Sequence, residues 1–341
     1  MDGSDFERIA RDRLDTDVFR FFAGGADDEV TLTDNERSWQ HLRLRPRVLR
    51  GVGAVDTTAT LMGSGVAAPI GIAPTAAHEL AHPDAERATA AGAAAARAVY
   101  VISTMSSRTM EDVAGAAPTA VRWFQLYVRG SLEPARELVE RAVASGCRAL
   151  VVTVDVPTLG RRRHETLRLD ERVELAHLTP HGDGTPRVYD RHVALTLDDL
   201  REIISWSSLP VLVKGVVRAD DAVACVRAGV AGVIVSNHGG RQLDTAVAPP
   251  TALAEVAAAV GDAAEVYVDG GIRRGTDVLK ALALGAHGVL VGRPVLWGLA
   301  VDGSAGVRAV LEGLRDELAR AMTLCGAATI DDVTADLVVG A

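Results

Sequence analysis

The sequence predicts an α/β fold, a (β/α)8 TIM barrel preceded by a helical extension, and three observations carry it. Short, near-continuously apolar runs recur along the chain, Ala- and Leu-rich stretches lie between them, and chemically active side chains fall at the C-terminal ends of the runs. The first four runs are Ile70-Gly71-Ile72-Ala73, Val99-Tyr100-Val101-Ile102, Trp123-Phe124-Gln125-Leu126 and Ala149-Leu150-Val151-Val152-Thr153. Val211-Leu212-Val213-Lys214, Gly232-Val233-Ile234-Val235-Ser236, Val266-Tyr267-Val268-Asp269 and Gly288-Val289-Leu290-Val291-Gly292 follow. Apolar continuity without alternation marks parallel strands buried on both faces. Between them, segments such as 85–98 and 277–284 are rich in helix-forming residues. Eight such units close a barrel. A doubly wound open sheet is the runner-up, but it calls for a glycine fingerprint between its first strand and helix. Gly51-Val52-Gly53 and Gly63-Ser64-Gly65 lack that setting. One domain is expected over residues 1–341, with 1–65 an extension covering one end and 66–341 the barrel and its C-terminal helices. The long interval 154–210, loop-like around Thr179-Pro180-His181-Gly182-Asp183-Gly184, is expected to act as a lid.

The chain has 341 residues with 36 Lys and Arg against 45 Asp and Glu, a formal net charge of −9, and 48% hydrophobic residues. Such a composition is globular, and it argues against a nucleic-acid binder, which would show a basic face. Cys147, Cys225 and Cys325 lie far apart with no metal-ligand spacing, as expected in a reducing cytoplasm. The acidic opening Met1-Asp2-Gly3-Ser4-Asp5 has no apolar signal core, and Gly, Pro or Arg interrupts each long apolar stretch. A cytoplasmic protein with neither membrane nor nucleic-acid partner is expected.

In a β/α barrel, chemistry sits at the C-terminal ends of the strands. There the sequence places Thr75, Ser103, Thr104, Gln125, Tyr127, Thr153 and Asp155, then Lys214, Ser236-Asn237-His238 with Arg241, and finally Asp269, Arg273 and Arg293. The last two strands end in glycine-rich turns, Asp269-Gly270-Gly271-Ile272-Arg273-Arg274-Gly275 and Gly292-Arg293-Pro294. Glycines let backbone N–H groups approach an anion, and these two turns are where barrels often hold phosphate. Arg273 and Arg293 supply bidentate donors, so a phosphorylated ligand is expected. A lone histidine is more often structural than catalytic. His238 differs because Arg241 lies beside it and Asp155 ends the fourth strand. A carboxylate fixes an imidazole's tautomer and stabilises its protonated form, which suits a general base.

These residues resemble the family of FMN-dependent L-2-hydroxy acid oxidases and dehydrogenases, which includes glycolate oxidase, lactate oxidase, mandelate dehydrogenase and hydroxymandelate oxidase. The resemblance runs over nearly the whole chain, through Phe22-Ala23-Gly24-Gly25-Ala26-Asp27-Asp28-Glu29, Ala73-Pro74-Thr75-Ala76, Trp123-Phe124-Gln125-Leu126-Tyr127, Thr153-Val154-Asp155-Val156-Pro157, Val213-Lys214-Gly215, the Ser-Asn-His segment and both glycine turns. It implies FMN, a small 2-hydroxy acid substrate and a homotetramer. It implies His238 as the base with Asp155 supporting it, Arg241 and Arg162 clamping the substrate carboxylate, and Tyr127 bonded to that carboxylate or the hydroxyl. Gln125, Thr153, Ser106 and Ser236 would contact the flavin ring, with Ala73, Thr75 and Ala76 against it. Lys214 would stabilise negative charge arriving at the pyrimidine edge. Asp269, Gly270, Gly271, Arg273, Gly292 and Arg293 complete the cofactor set.

The chain departs from the family's pattern in several places. Phe21 stands where a substrate-contacting Tyr is common, which removes a donor and points to a bulkier, aryl substrate such as mandelate or 4-hydroxymandelate. The tryptophan of glycolate oxidase after the second strand is missing, and Ser106-Ser107-Arg108-Thr109 makes a shorter turn that puts Arg108 at the pocket or in solvent. Arg163-His164-Glu165-Thr166 replaces the usual acidic continuation after Arg162. The apolar insert of membrane-bound mandelate dehydrogenases is missing. Ala76 resembles the oxidases rather than the dehydrogenases, which favours oxygen as acceptor and hydrogen peroxide as product. A quinone-reducing dehydrogenase, a flavin-dependent isomerase and a non-enzymatic scaffold are the alternatives; a mouth carrying His238, Arg241, Lys214 and Tyr127 speaks against the last two. His78-Glu79-Leu80-Ala81-His82 matches the zinc pattern H-E-x-x-H, but Pro83 suits the start of a helix, so the two histidines are not expected to share a helix face or a metal.

Overall fold

The computed structural model describes residues 3–163, 165, 167–178 and 193–340. Eight parallel strands close into a barrel. They are β1 (Ile70–Ile72), β2 (Val99–Ser103), β3 (Val121–Leu126), β4 (Leu150–Thr153), β5 (Val211–Val216), β6 (Gly232–Val235), β7 (Glu265–Asp269) and β8 (Gly288–Val291). Each pairs with its successor in the chain, and β8 returns to β1 with Val289 opposite Ile70. The eight apolar runs of the sequence are these eight strands, and β2, β4, β6 and β8 are buried along their whole length.

Two hydrophobic layers explain that burial. Val101, Trp123, Val151, Leu212, Ile234 and Tyr267 point into the barrel. Trp123 meets Tyr267 edge-on, ring centres 5.5 Å apart. Their strand neighbours point outward and pack under the helices. A hairpin pairing Ala59–Leu61 with Ser64–Val66 closes the N-terminal end, where Leu61 and Val66 join the interior layer. The barrel is therefore filled, and ligands are confined to its C-terminal mouth.

The N-terminal helices α1 (Gly3–Arg13), α2 (Thr16–Ala23) and α3 (Val30–His41) reach that mouth. Asp244 caps α3 by accepting from the Thr31 N–H at 2.8 Å. Asn35 and Asn237 bond to each other side chain to side chain, and the Trp39 indole donates to the Gly270 carbonyl at 2.9 Å. The extension is thus bonded to the loops that follow β6 and β7. Helix α4 (Ala85–Ala96) begins just beyond Pro83, α5 (Gly275–Ala283) follows the first glycine turn, and the long α6 (Arg293–Cys325) follows the second. Residues 179–184, the centre of the expected lid, lie outside the described residues. No helix among the described residues is long and apolar enough to cross a membrane.

Candidate active site

The strand ends surround a cavity of about 410 Å³, a volume that suits a cofactor with a small substrate. At its wall His238 Nδ1 donates to Asp155 Oδ1, which stands behind it, at 2.9 Å. That bond puts the ring proton on Nδ1 and leaves Nε2 as the basic nitrogen, 3.3 Å from the Tyr127 hydroxyl. Asp155 stays ionised: burial pushes its pKa up, and His238 and Lys214 pull it below the usual carboxylate range. Its position depends on Gly215, where a Cβ would lie 2.4 Å from the Asp155 carboxyl carbon. His238 itself adopts a left-handed backbone, φ 60°, with its N–H held by Ser236 Oγ at 3.0 Å. Strain of this kind persists where surrounding bonds enforce it.

Below the dyad, neighbouring strand ends form a hydrogen-bonded floor. Gln125 Nε2 donates to Thr153 Oγ1 at 3.0 Å, while its Oε1 accepts from Ser103 Oγ and the Thr104 N–H. Lys214 donates to Ser236 Oγ at 2.8 Å and pairs with Asp269 at 3.1 Å. Burial opposes the lysine's charge, but Asp269 and Asp155 outweigh it and raise its pKa. Asp269 Oδ1 is buried without a partner.

At the rim, Arg241 Nη1 donates to the carbonyls of Phe21 and Gly24 at 2.8 and 2.7 Å, and its guanidinium lies over the Phe21 ring. Burial, then Arg162 and Arg293, press its pKa downward against the opposing carboxylate of Glu165. Arg162 bonds to Glu165 at 2.9 Å. Gln242 holds the loop after β4, donating to the carbonyls of Asp155 and Thr158 and accepting from the Gly160 N–H.

The glycine turns form the remaining wall. Gly271 has φ 78°, and a Cβ there would strike the Asn35 carbonyl at 2.1 Å, so the turn admits only glycine. Arg273 pairs with Glu36 at 2.8 Å.

A model of the family described as FMN-dependent dehydrogenase matches residues 10–340. The chain belongs to the FMN-dependent dehydrogenase family. It is 44% identical over 340 residues to 2-hydroxyacid oxidase 2 of Homo sapiens, covering 98% of this chain and 97% of that one. It is also 44% identical over 347 residues to an L-lactate oxidase of Nostoc sp., covering 96% and 95%. Mandelate oxidase solved with (S)-4-hydroxymandelic acid superposes with a TM-score of 0.92 at 39% identity, covering 98% of this chain and 97% of that one.

FMN is the cofactor of this family, and the residues lining the cavity fit it. A buried cation, an unpartnered buried carboxylate oxygen and glycine turns at the cavity wall match the ring, ring N–H and phosphate of such a ligand. Ala73, Thr75, Ala76, Tyr127, Phe21, Lys214, His238, Arg162, Arg241, Asp269, Gly270, Gly271, Arg273, Gly292 and Arg293 all line this one cavity. Gln125, Thr153, Ser236 and Asp155 stand one layer behind it.

Two expectations need correction. Ser106 does not reach the cavity; its Oγ donates to the Arg108 carbonyl at 2.8 Å, and Ser103 and Met105 are the residues of that turn at the wall. Arg293 is not a free fork, because Nε, Nη1 and Nη2 donate to the carbonyls of Phe22, Gly239 and Gly24. It contributes charge and ties α2 to the mouth; burial, then Arg273, lower its pKa to about 10. Arg108 turns away from the pocket into a two-pronged bond with Glu79. His78 and His82 do not share a helix face: His78 is buried between Thr75 and Thr89, at 2.6 and 2.8 Å, whereas His82 lies near Asp84. Thr89 donates to the Ala85 carbonyl, so it accepts from His78 Nδ1. His78 Nε2 then accepts from the Thr75 hydroxyl. Sequence reasoning missed Glu165, Met105, Arg129 and Gln242 as cavity residues, since no local pattern marks them.

Proposed function

We propose that this chain oxidises an L-2-hydroxy acid with a bulky or aryl side chain to the 2-oxo acid and passes the electrons to oxygen, forming hydrogen peroxide. The observation that carries this reading is the Asp155–His238 dyad, whose unprotonated Nε2 is on the ring edge away from Asp155, at the cavity that Tyr127, Arg162 and Arg241 also line. Arg162 and Arg241 take the substrate carboxylate, and Tyr127 donates to it or to the hydroxyl. His238 Nε2 takes one proton from the substrate, and Asp155 stabilises the imidazolium that results. FMN, when bound, would supply the acceptor for the two electrons and the second hydrogen. Lys214, held by Asp269, supplies fixed positive charge where that charge arrives. Gln125, Thr153 and Ser236 set the floor behind the ring, and the glycine turns with Arg273 take the phosphate end.

Phe21 supports the choice of substrate: its ring offers no hydrogen bond, and Met105, Leu159, Leu167 and Leu169 extend the apolar wall. Mandelate oxidase, to which the chain is similar, binds (S)-4-hydroxymandelic acid. Ala76 supports oxygen as acceptor, and a quinone acceptor is the second reading. A single domain, a cytoplasmic location and a tetrameric assembly belong to the same proposal. The test is a panel from glycolate and lactate to mandelate and 4-hydroxymandelate, with anaerobic bleaching and air re-oxidation followed by absorbance. Fast bleaching by the aryl acids and slow bleaching by glycolate is expected. Bleaching by none of them would end the proposal, and re-oxidation by quinone but not by air would establish the second reading.

A further inference from the structure

Three buried or half-buried guanidiniums, those of Arg162, Arg241 and Arg293, crowd the substrate end of the cavity, and among its lining residues Glu165 is the carboxylate that meets two of them. We infer that Glu165 is a positioning residue of the carboxylate clamp, holding Arg162 so that its Nε/Nη2 edge receives the substrate. The inference rests on the reading of the site given above.

Glu165 Oε2 accepts from Arg162 Nη1 at 2.9 Å and lies 3.7 Å from Arg241 Nη2. A guanidinium has two edges able to grip a carboxylate with parallel bonds. Nη1 lies on the Cδ side, so the Nε–H points the other way and forms its edge with Nη2. By taking Nη1, Glu165 leaves that second edge intact. Arg162 Nε is buried with no acceptor. A buried donor without a partner is costly, and a shift of the Arg162 side chain that opens Nε to the cavity would let an arriving carboxylate satisfy it. Arg162 and Glu165 themselves are not in a helix, so their pair is not an i,i+3 contact along a helix face. Both side chains are about four-fifths buried, with 18% and 21% exposed, which holds the geometry.

Charge supports the same role. Arg241 is held by two carbonyls, while Arg162 and Arg293 repel it. One carboxylate among three cations lets the cluster assemble and still leaves positive charge for an anion. A competing role, with Glu165 standing in for the substrate carboxylate, would place it on the Nε/Nη2 edge. It is not on that edge, and its approach to Arg241 is too long for a hydrogen bond.

The holoenzyme with Glu165→Ala, Glu165→Gln and Arg241→Lys tests this, with benzoate as a non-oxidisable carboxylate read through the flavin absorbance. Glu165→Ala is expected to weaken benzoate binding by about tenfold, roughly the worth of one charge-assisted hydrogen bond. KM for mandelate should rise by a similar factor, and kcat should change by less. Glu165→Gln keeps an acceptor for Nη1 and should fall between wild type and Glu165→Ala. FMN content and flavin spectrum report folding in each variant. Unchanged or tighter benzoate binding in both Glu165 variants, with Arg241→Lys weakened, overturns this inference alone. Wild-type protein that binds no benzoate and oxidises no 2-hydroxy acid overturns the proposed function and this inference with it.

Discussion

The floor of the cavity and its rim are built by different means. On the floor, Ser103, Gln125, Thr153 and Lys214 stand on consecutive strands, with Ser103 opposite Gln125 and Thr153 opposite Lys214 in the barrel register. Their hydrogen bonds follow from that register. On the rim, Arg162, Glu165 and Arg241 come from loops after two strands, and their positions follow from mutual charge and from carbonyls lent by α2. A strand end places a side chain by backbone pairing alone. A loop end needs a partner to place it, and at this mouth the partners are Gln242, Glu165 and the N-terminal extension. Floor residues should therefore act as a rigid block, whereas rim residues should respond to the loss of one another.

The largest effect is expected where floor and rim meet. His238→Ala should keep the yellow colour and slow anaerobic bleaching by mandelate by about 10³-fold, within the usual span of general-base catalysis. A stopped-flow rate near wild type would remove His238 from the proton step. Next, Lys214→Met should strand Asp269 as a buried unpaired charge and lower stability by about 3 kcal/mol. The double variant Lys214→Met/Asp269→Leu should regain much of that in urea unfolding, since no lone charge is left. If the double variant is no better than the single, the floor is not a coupled block.

A smaller effect separates the working imidazole from sealed ones. Burial, with Arg141, lowers the His177 pKa to about 4, and burial lowers that of His78. As pH falls below the unfolded value of about 6.5, the unfolded chain takes up these protons before the folded one does, so stability is full above that pH and declines from there down to about 4. Unfolding free energies from urea titrations at pH 7 and pH 5 should differ by about 2 kcal/mol for His177 alone, and His177→Phe should flatten that slope. The smallest effect belongs to Arg108, outside the cavity. Arg108→Ala should leave turnover unchanged and cost about 0.5 kcal/mol for its partly exposed pair with Glu79, read by thermal unfolding.

Ser106 and Ser103 show where legibility ended. Ser103 ends β2 and Ser106 lies in the turn that follows, and the Ser106–Arg108 bond within that turn takes the Ser106 hydroxyl away from the cavity. Arg293 shows the same limit from the other side. The turn that carries it stands at the cavity wall, but its nitrogens are committed by carbonyls from residues 22, 24 and 239, remote in sequence. The H-E-x-x-H pattern was readable because Pro83 marks the start of a helix locally.

What the amino-acid sequence determined alone was the barrel, its strand ends and the side chains standing on them, because apolar continuity and strand-end position are local properties repeated eight times. It also determined the family, since several separate segments match in order. The tertiary structure alone decided which guanidinium is spent on carbonyls, which serine faces inward and how Glu165 is set between two arginines. Those choices depend on charges and acceptors brought together through space from loops and from the N-terminal helices, and no spacing along the chain encodes them.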